Sequence, residues 1–182
     1  KIPLVIDVRD SYSYKVEHIA TAISFPYTSM SQLKQFPFPK DKLIVTYCGC
    51  PHHLSGLSAM LLIKNGYQHI RVLDEGFNVW KQQGYPVVKG PTPMNSLTTR
   101  MVSGQLLDHL HQPIIQQDIF LRHLKTGQIE ATRTDEKGYF TMTLHFWNIT
   151  EADRMLFSLM NDQRVSIKKL QDLNTPLQLT LQ

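Results

Sequence analysis

Short apolar runs alternate with helical stretches through the first half of the chain. Leu4-Val5-Ile6-Asp7-Val8 is apolar and β-branched, the pattern of a strand buried on both faces in a parallel sheet. Ala22–Phe25, stopped by Pro26, predicts a second strand. Leu43–Tyr47 and His69–Leu73 predict a third and a fourth. Between those two lies a helical pattern from Leu54 to Lys64, with Leu54, Leu57, Leu61 and Leu62 expected on the buried face. Gly66 stands where a C-terminal helix cap places glycine. A second helix is predicted from Phe77 to Gln83. Strands interleaved with helices are the grammar of an α/β domain.

The period changes after Val88. Lys89-Gly90-Pro91-Thr92-Pro93 opens a turn-rich stretch. Beyond it the chain predicts strands at Arg100–Leu107, Ile114–Leu124, Gln128–Thr134, Tyr139–Phe146, Arg164–Leu170 and Leu177–Leu181. Such spacing indicates an all-β sandwich. Lys125-Thr126-Gly127 and Asp135-Glu136-Lys137-Gly138 predict hairpin turns, and a helical turn is expected around Glu151–Leu159. The domains expected are residues 1–90, a linker over 91–99 and a second domain over 100–182.

Composition narrows the function classes. Of 182 residues, 42% are hydrophobic and 19% charged, which suits folded domains rather than disorder. The longest strictly apolar run, Ala59–Ile63, is too short to span a bilayer. The net charge of +4 lies in the first 90 residues, with 10 Lys+Arg against 6 Asp+Glu; the remainder carries 9 of each. No basic cluster marks nucleic acid as a partner, whereas a small anionic ligand fits the excess. The chain begins at Lys1 rather than Met, read here as a trimmed or processed N-terminus.

Both cysteines fall in one segment, Cys48-Gly49-Cys50-Pro51-His52-His53-Leu54-Ser55, between a predicted strand and a predicted helix. Parallel α/β folds place ligands at that junction. Amides at the helix start favour an anion there, a thiolate included. Cys48 is the candidate nucleophile, and residues 49–55 are the candidate substrate-binding loop. His52 and His53 can supply positive charge or a proton path. Cys50 is open to three roles: a bystander, a resolving thiol for Cys48, or a soft-metal ligand with the histidines. No metal site and no cofactor is assigned. Asp7 and Arg9 are expected to support the loop as a charge-assisted pair. His18 and Trp80 are expected to be structural.

Several pieces in order resemble the rhodanese family: Val5-Ile6-Asp7-Val8-Arg9, His18-Ile19 followed by Ala22 and Pro26, Leu43–Cys48, Gly66-Tyr67, and Val72–Phe77 with Trp80. The resemblance covers residues 3–88. It implies a sulfurtransferase with a persulfide on Cys48, a small anionic sulfur donor such as thiosulfate, and a thiol or partner protein as acceptor. The family's Gly before its His-Ile motif is Glu17 here, and its basic residue five positions after the cysteine is His53. The Cys-x-Cys-Pro-His form resembles a subgroup of these domains. Related phosphatases and arsenate reductases need a loop Arg, and residues 49–58 contain none. Phosphatase chemistry is therefore set aside.

In the second half, Val102–Asp108, Gln112-Pro113-Ile114 and Thr134-Asp135-Glu136-Lys137-Gly138-Tyr139-Phe140 resemble the carboxypeptidase regulatory-like, or transthyretin-like, β-sandwich. That resemblance implies a periplasmic or exported setting and transfers no catalytic residue. The rival reading makes the first domain a non-catalytic binding or redox module. In it Cys48 and Cys50 act as a dithiol or hold a soft metal, and the sandwich docks a partner.

Overall fold

Buried strands that are never joined by a tight turn need crossover connections, and crossovers yield parallel pairing. The computed structural model, which describes residues 2–49, 53–160, 163–174 and 176–181, has that arrangement in its first half. Strands β1 (Leu4–Asp7), β3 (Ile23–Ser24), β4 (Ile44–Tyr47) and β5 (Ile70–Val72) form one parallel sheet in the order β3-β1-β4-β5. Ile6, Val8 and Ile44 are wholly buried, as a sheet covered on both faces requires. The helices are α1 (Ser11–Val16), α2 (Tyr27–Met30), α3 (His53–Lys64) and α4 (Gly76–Gln82). A two-stranded antiparallel ribbon joins β2 (Glu17–Ile19) to β6 (Val87–Lys89). The chain divides into two compact units, Lys1–Pro93 and Met94–Gln182.

Helix α3 ends where its glycine predicts. Gly66 takes φ +82°, and the amides of Gly66 and Tyr67 return to the carbonyls of Ile63 and Leu62. The Lys40 ammonium donates to the Asn65 carbonyl at the same end, where cations favour the helix dipole. The buried stripe differs from expectation. It consists of Leu54, Ser55, Ser58, Ala59 and Leu62, while Leu57 and Leu61 are only partly buried. Serine and alanine side chains fill part of that buried face, which leucine periodicity does not report.

The second unit comprises β7 (Leu97–Leu107), β8 (Asp118–His123), β9 (Ile129–Arg133), β10 (Tyr139–Trp147), β11 (Arg154–Ser158), β12 (Arg164–Lys169) and β13 (Leu177–Thr180). One sheet has the order β10-β7-β13 and the other β12-β11-β8-β9. Their inward residues, including Val102, Ile119, Leu144 and Phe157, share one core. On β10, Phe140, Met142 and Leu144 are buried in alternation, as the sequence predicts. The Asp135 carboxylate accepts from the amides of Lys137 and Tyr139, and Gly138 takes φ +75° in that turn. At Gly104, a Cβ would lie 2.5 Å from the Leu177 carbonyl oxygen and 2.9 Å from the Phe140 ring, so glycine is required where β13 crosses close.

Three expectations are corrected. The segment around Glu151–Leu159 is not helical; it holds β11, a central strand between β8 and β12. Met155, Leu156, Phe157 and Ser158 are all buried, and burial on both faces erases the alternation that signals a strand. The strand expected from Ile114 begins only at Asp118, because Pro113 is held in an isolated bridge to Leu107 and Gln116 takes positive φ. Strand β7 begins at Leu97, ahead of the expected Arg100, paired there with Trp147.

Candidate functional site

The cysteine follows β4 directly, at the carboxyl end of an interior strand. Its sulfur is almost wholly enclosed, with 1% of the residue exposed. Cys48 Sγ lies 3.3 Å from the hydroxyl oxygen of Ser55, itself buried in the first turn of α3. Thr46 donates its hydroxyl to the Ser55 carbonyl at 3.1 Å, which ties that turn to β4. The chain just after β4 is tied from the other side by α4. Phe77 N–H donates to the Cys48 carbonyl (2.8 Å) and Asn78 N–H to the Gly49 carbonyl (3.2 Å). The first-turn amides of a helix have no acceptor within it, so the start of α3 favours negative charge beside the sulfur.

A polar network lies beneath this junction. Arg9 forms a bidentate pair with Asp7, Nη2 to Oδ2 at 2.7 Å and Nε to Oδ1 at 3.0 Å. The Tyr47 hydroxyl donates to Asp7 Oδ2 at 2.6 Å and accepts from Ile19 N–H at 3.1 Å. Arg9 Nη2 also donates to the Glu17 carbonyl, and its guanidinium lies 4.0 Å from the Phe77 ring centroid. Glu17, in the place of the expected glycine, is buried and its carboxylate pairs with Lys81. Burial alone would lower the Arg9 pKa, but the Asp7 charge and hydrogen bonds outweigh it and hold it above the ordinary value. Burial, reinforced by the Asp7 charge, pushes the Tyr47 phenol up, so it stays protonated.

The structure therefore brings Cys48, Gly49 and Ser55 to one junction and puts Asp7 and Arg9 under it. His53 is the first residue of α3. Leu54 is a core residue, 2% exposed. Cys50, Pro51 and His52 lie outside the described residues. His18 bonds the Tyr14 carbonyl through Nδ1 and stacks on the Tyr14 ring, a structural arrangement. Trp80 is only partly buried and packs against the core by its ring, donating to the Pro86 carbonyl. Sequence reading missed Tyr47, Thr46 and Asn78. Adjacency to Cys48 was the available signal for Tyr47; its link to Asp7, 40 positions earlier, was not readable. Among the described residues no group of three or more His, Cys, Asp or Glu could hold a metal ion. No helix among them is long and apolar enough to cross a membrane.

Comparison with known proteins places this junction in a family. The rhodanese-like domain model matches residues 1–83. Over 79 residues the chain is 35% identical to the thiosulfate sulfurtransferase GlpE of Coxiella burnetii, spanning 43% of this chain and 71% of that protein. It is 34% identical over 86 residues to an uncharacterized protein of Synechocystis sp., 47% of each chain. A solved rhodanese-like domain from Anabaena sp. covers 48% of this chain and 99% of that chain, at 25% identity and a TM-score of 0.44. The chain belongs to the rhodanese-like family through its first unit.

Proposed function

We propose that the first unit is a sulfurtransferase in which Cys48 carries sulfane sulfur as a persulfide. The observation that carries this reading is the enclosed Cys48 sulfur at the end of β4, 3.3 Å from the Ser55 hydroxyl at the start of α3. Likeness to a thiosulfate sulfurtransferase over most of that enzyme's length supports the same chemistry. The Cys48 thiolate attacks the outer sulfur of thiosulfate. A Cys48 S–S bond forms, the S–S bond of the donor breaks, and sulfite leaves with the electron pair. A thiolate acceptor then attacks the terminal sulfur and regenerates the Cys48 thiolate. The Ser55 hydroxyl stabilises the thiolate by a hydrogen bond, and the α3 N-terminus adds about 0.3–1 kcal/mol. In this reading His53, the first residue of α3, takes the part of the family's basic loop residue. Asp7 and Arg9 support the junction without touching substrate.

The experiment is intact mass after thiosulfate treatment, with Cys48→Ser as control. A gain of one sulfur atom in wild type and none in the variant is the expected result. Equal sulfur transfer by both proteins would sink the reading. Loss of two hydrogens on oxidation, or a retained soft metal, would favour the rival dithiol or metal module instead. For the second unit we propose a carboxypeptidase regulatory-like β-sandwich in an exported setting. The Asp135-capped turn leading into β10 supports the assignment. Recovery of the protein in the cytoplasmic fraction of its source cells would remove the exported setting.

A further inference from the structure

The three-stranded sheet of the second unit turns one face to the core. Val102, Leu106, Phe140, Met142, Leu177 and Leu179 belong to the core cluster. The alternate positions on β7, β10 and β13 therefore face away from it. None of them is Asp, Glu, Lys or Arg, although 19% of the chain is charged. The histidine on this face, His145, lies 3.8 Å from the buried Glu130. Register sets the other side chains in rows. Tyr139, Gln105 and Gln178 stand side by side across the three strands, and Thr141 pairs with Ser103 in the next row. These five residues and Pro176 are among those lining a cavity of about 430 Å³. Small-molecule sites occupy ~300–1,000 Å³. Tyr139 is 52% exposed, and Gln105 is held in place by donating its Nε2 to the Lys137 carbonyl at 2.9 Å.

The lining selects a ligand by its chemistry. It offers no charged side chain, so an ionic ligand would lose hydration there without a partner. Hydroxyls and carboxamides both donate and accept, which suits a ligand whose own groups do both. Tyr139 and Pro176 add an aromatic ring and an apolar surface. A peptide strand is captured by a main-chain ladder, but β7, beneath the cavity, is already bonded to β10 and β13 on its two sides. We infer that this face binds a neutral saccharide. The hydroxyls of one pyranose ring bond Gln105, Gln178, Ser103 and Thr141, and the C–H face of the ring packs on Tyr139. No covalent step is involved, and the inference does not depend on the sulfurtransferase reading.

The test titrates the full chain with neutral maltotriose, cellotriose and the acetylated chitin trimer, and with anionic trigalacturonate. Calorimetry measures Kd, and NMR follows the side-chain amides of Gln105 and Gln178. At least one neutral trisaccharide is expected to bind with a Kd of about 1 mM or tighter and to shift both amides. Tyr139→Ala is expected to weaken that binding about tenfold, whereas Tyr139→Phe, which keeps the ring, should weaken it no more than about threefold. Failure of all three neutral sugars to bind below about 10 mM would overturn the inference. Binding that leaves both amides unmoved, or that is unchanged in Tyr139→Ala, would place the sugar elsewhere and overturn it too. So would tighter binding of trigalacturonate than of every neutral trisaccharide.

Discussion

The two units spend their buried polar groups in opposite ways. In the first, Asp7, Arg9, Glu17 and Tyr47 are buried together under one junction, joining segments up to 40 positions apart. In the second, polar side chains act in separate small sets rather than in one network. Gln128 bonds both the amide and the carbonyl of Trp147, and Asp108 accepts from the amides of Leu110 and Gln112. The cluster shared by the two sheets is hydrophobic, and His123, Gln128, Thr134 and Ser158 are also buried in this unit. The difference follows from what each unit must hold. A strand-to-helix junction beside a thiolate has main-chain groups and a charge to position, and no ladder positions them. A sandwich gets its shape from two ladders and a shared core, so its polar groups need not form one network.

The contrast can be broken at its strongest point first. Asp7→Ala leaves the Arg9 guanidinium buried without its carboxylate. Stability of the first unit is expected to fall by about 3–5 kcal/mol, read from hydrogen exchange of β1 and β4 amides in the full chain. A loss under about 1 kcal/mol would mean that the network is not structural. The second unit should answer instead to shape. Gly104→Ala forces a Cβ against the Leu177 carbonyl, and destabilisation of about 1–3 kcal/mol is expected in β7 and β13 amides, with sulfur uptake unchanged. Asp135→Ala removes two hydrogen bonds from an exposed turn and should cost about 1 kcal/mol, visible as a lower urea midpoint.

The smallest effect is one of pH. His123 is fully buried, bonded through Nδ1 to Thr126 and 3.5 Å from Asp153 through Nε2. Burial, with help from nearby Lys125, holds its pKa below the ordinary value despite the attraction of Asp153. The unfolded chain therefore binds that proton more tightly than the folded one. Stability of the second unit should decline as pH falls below about 6.5, the unfolded histidine value. His123→Gln should flatten that slope; an unchanged slope would place the titration elsewhere.

Legibility in the sequence followed the range of the forces involved. The parallel strands, the Gly66 cap and the Asp135–Gly138 turn were readable because each rests on neighbouring residues. The β11 strand was not, because its side chains are buried on both faces, which removes the alternation of apolar and polar residues. The α3 stripe was misread for a related reason. Its buried stripe includes Ser55, Ser58 and Ala59, which leucine periodicity does not count as core.

For the site, local chemistry marked out Cys48 and its loop, and the Asp7-x-Arg9 spacing marked the support. These depend on residue type and short spacing, which a chain states by itself. That Ser55 meets the sulfur, that Tyr47 reaches back to Asp7, and that Asn78 sits beside Gly49 were decided only by tertiary structure. Each pairing depends on how β1, β4, α3 and α4 lie against one another. Main-chain register and helix placement set those distances, and no single segment contains them.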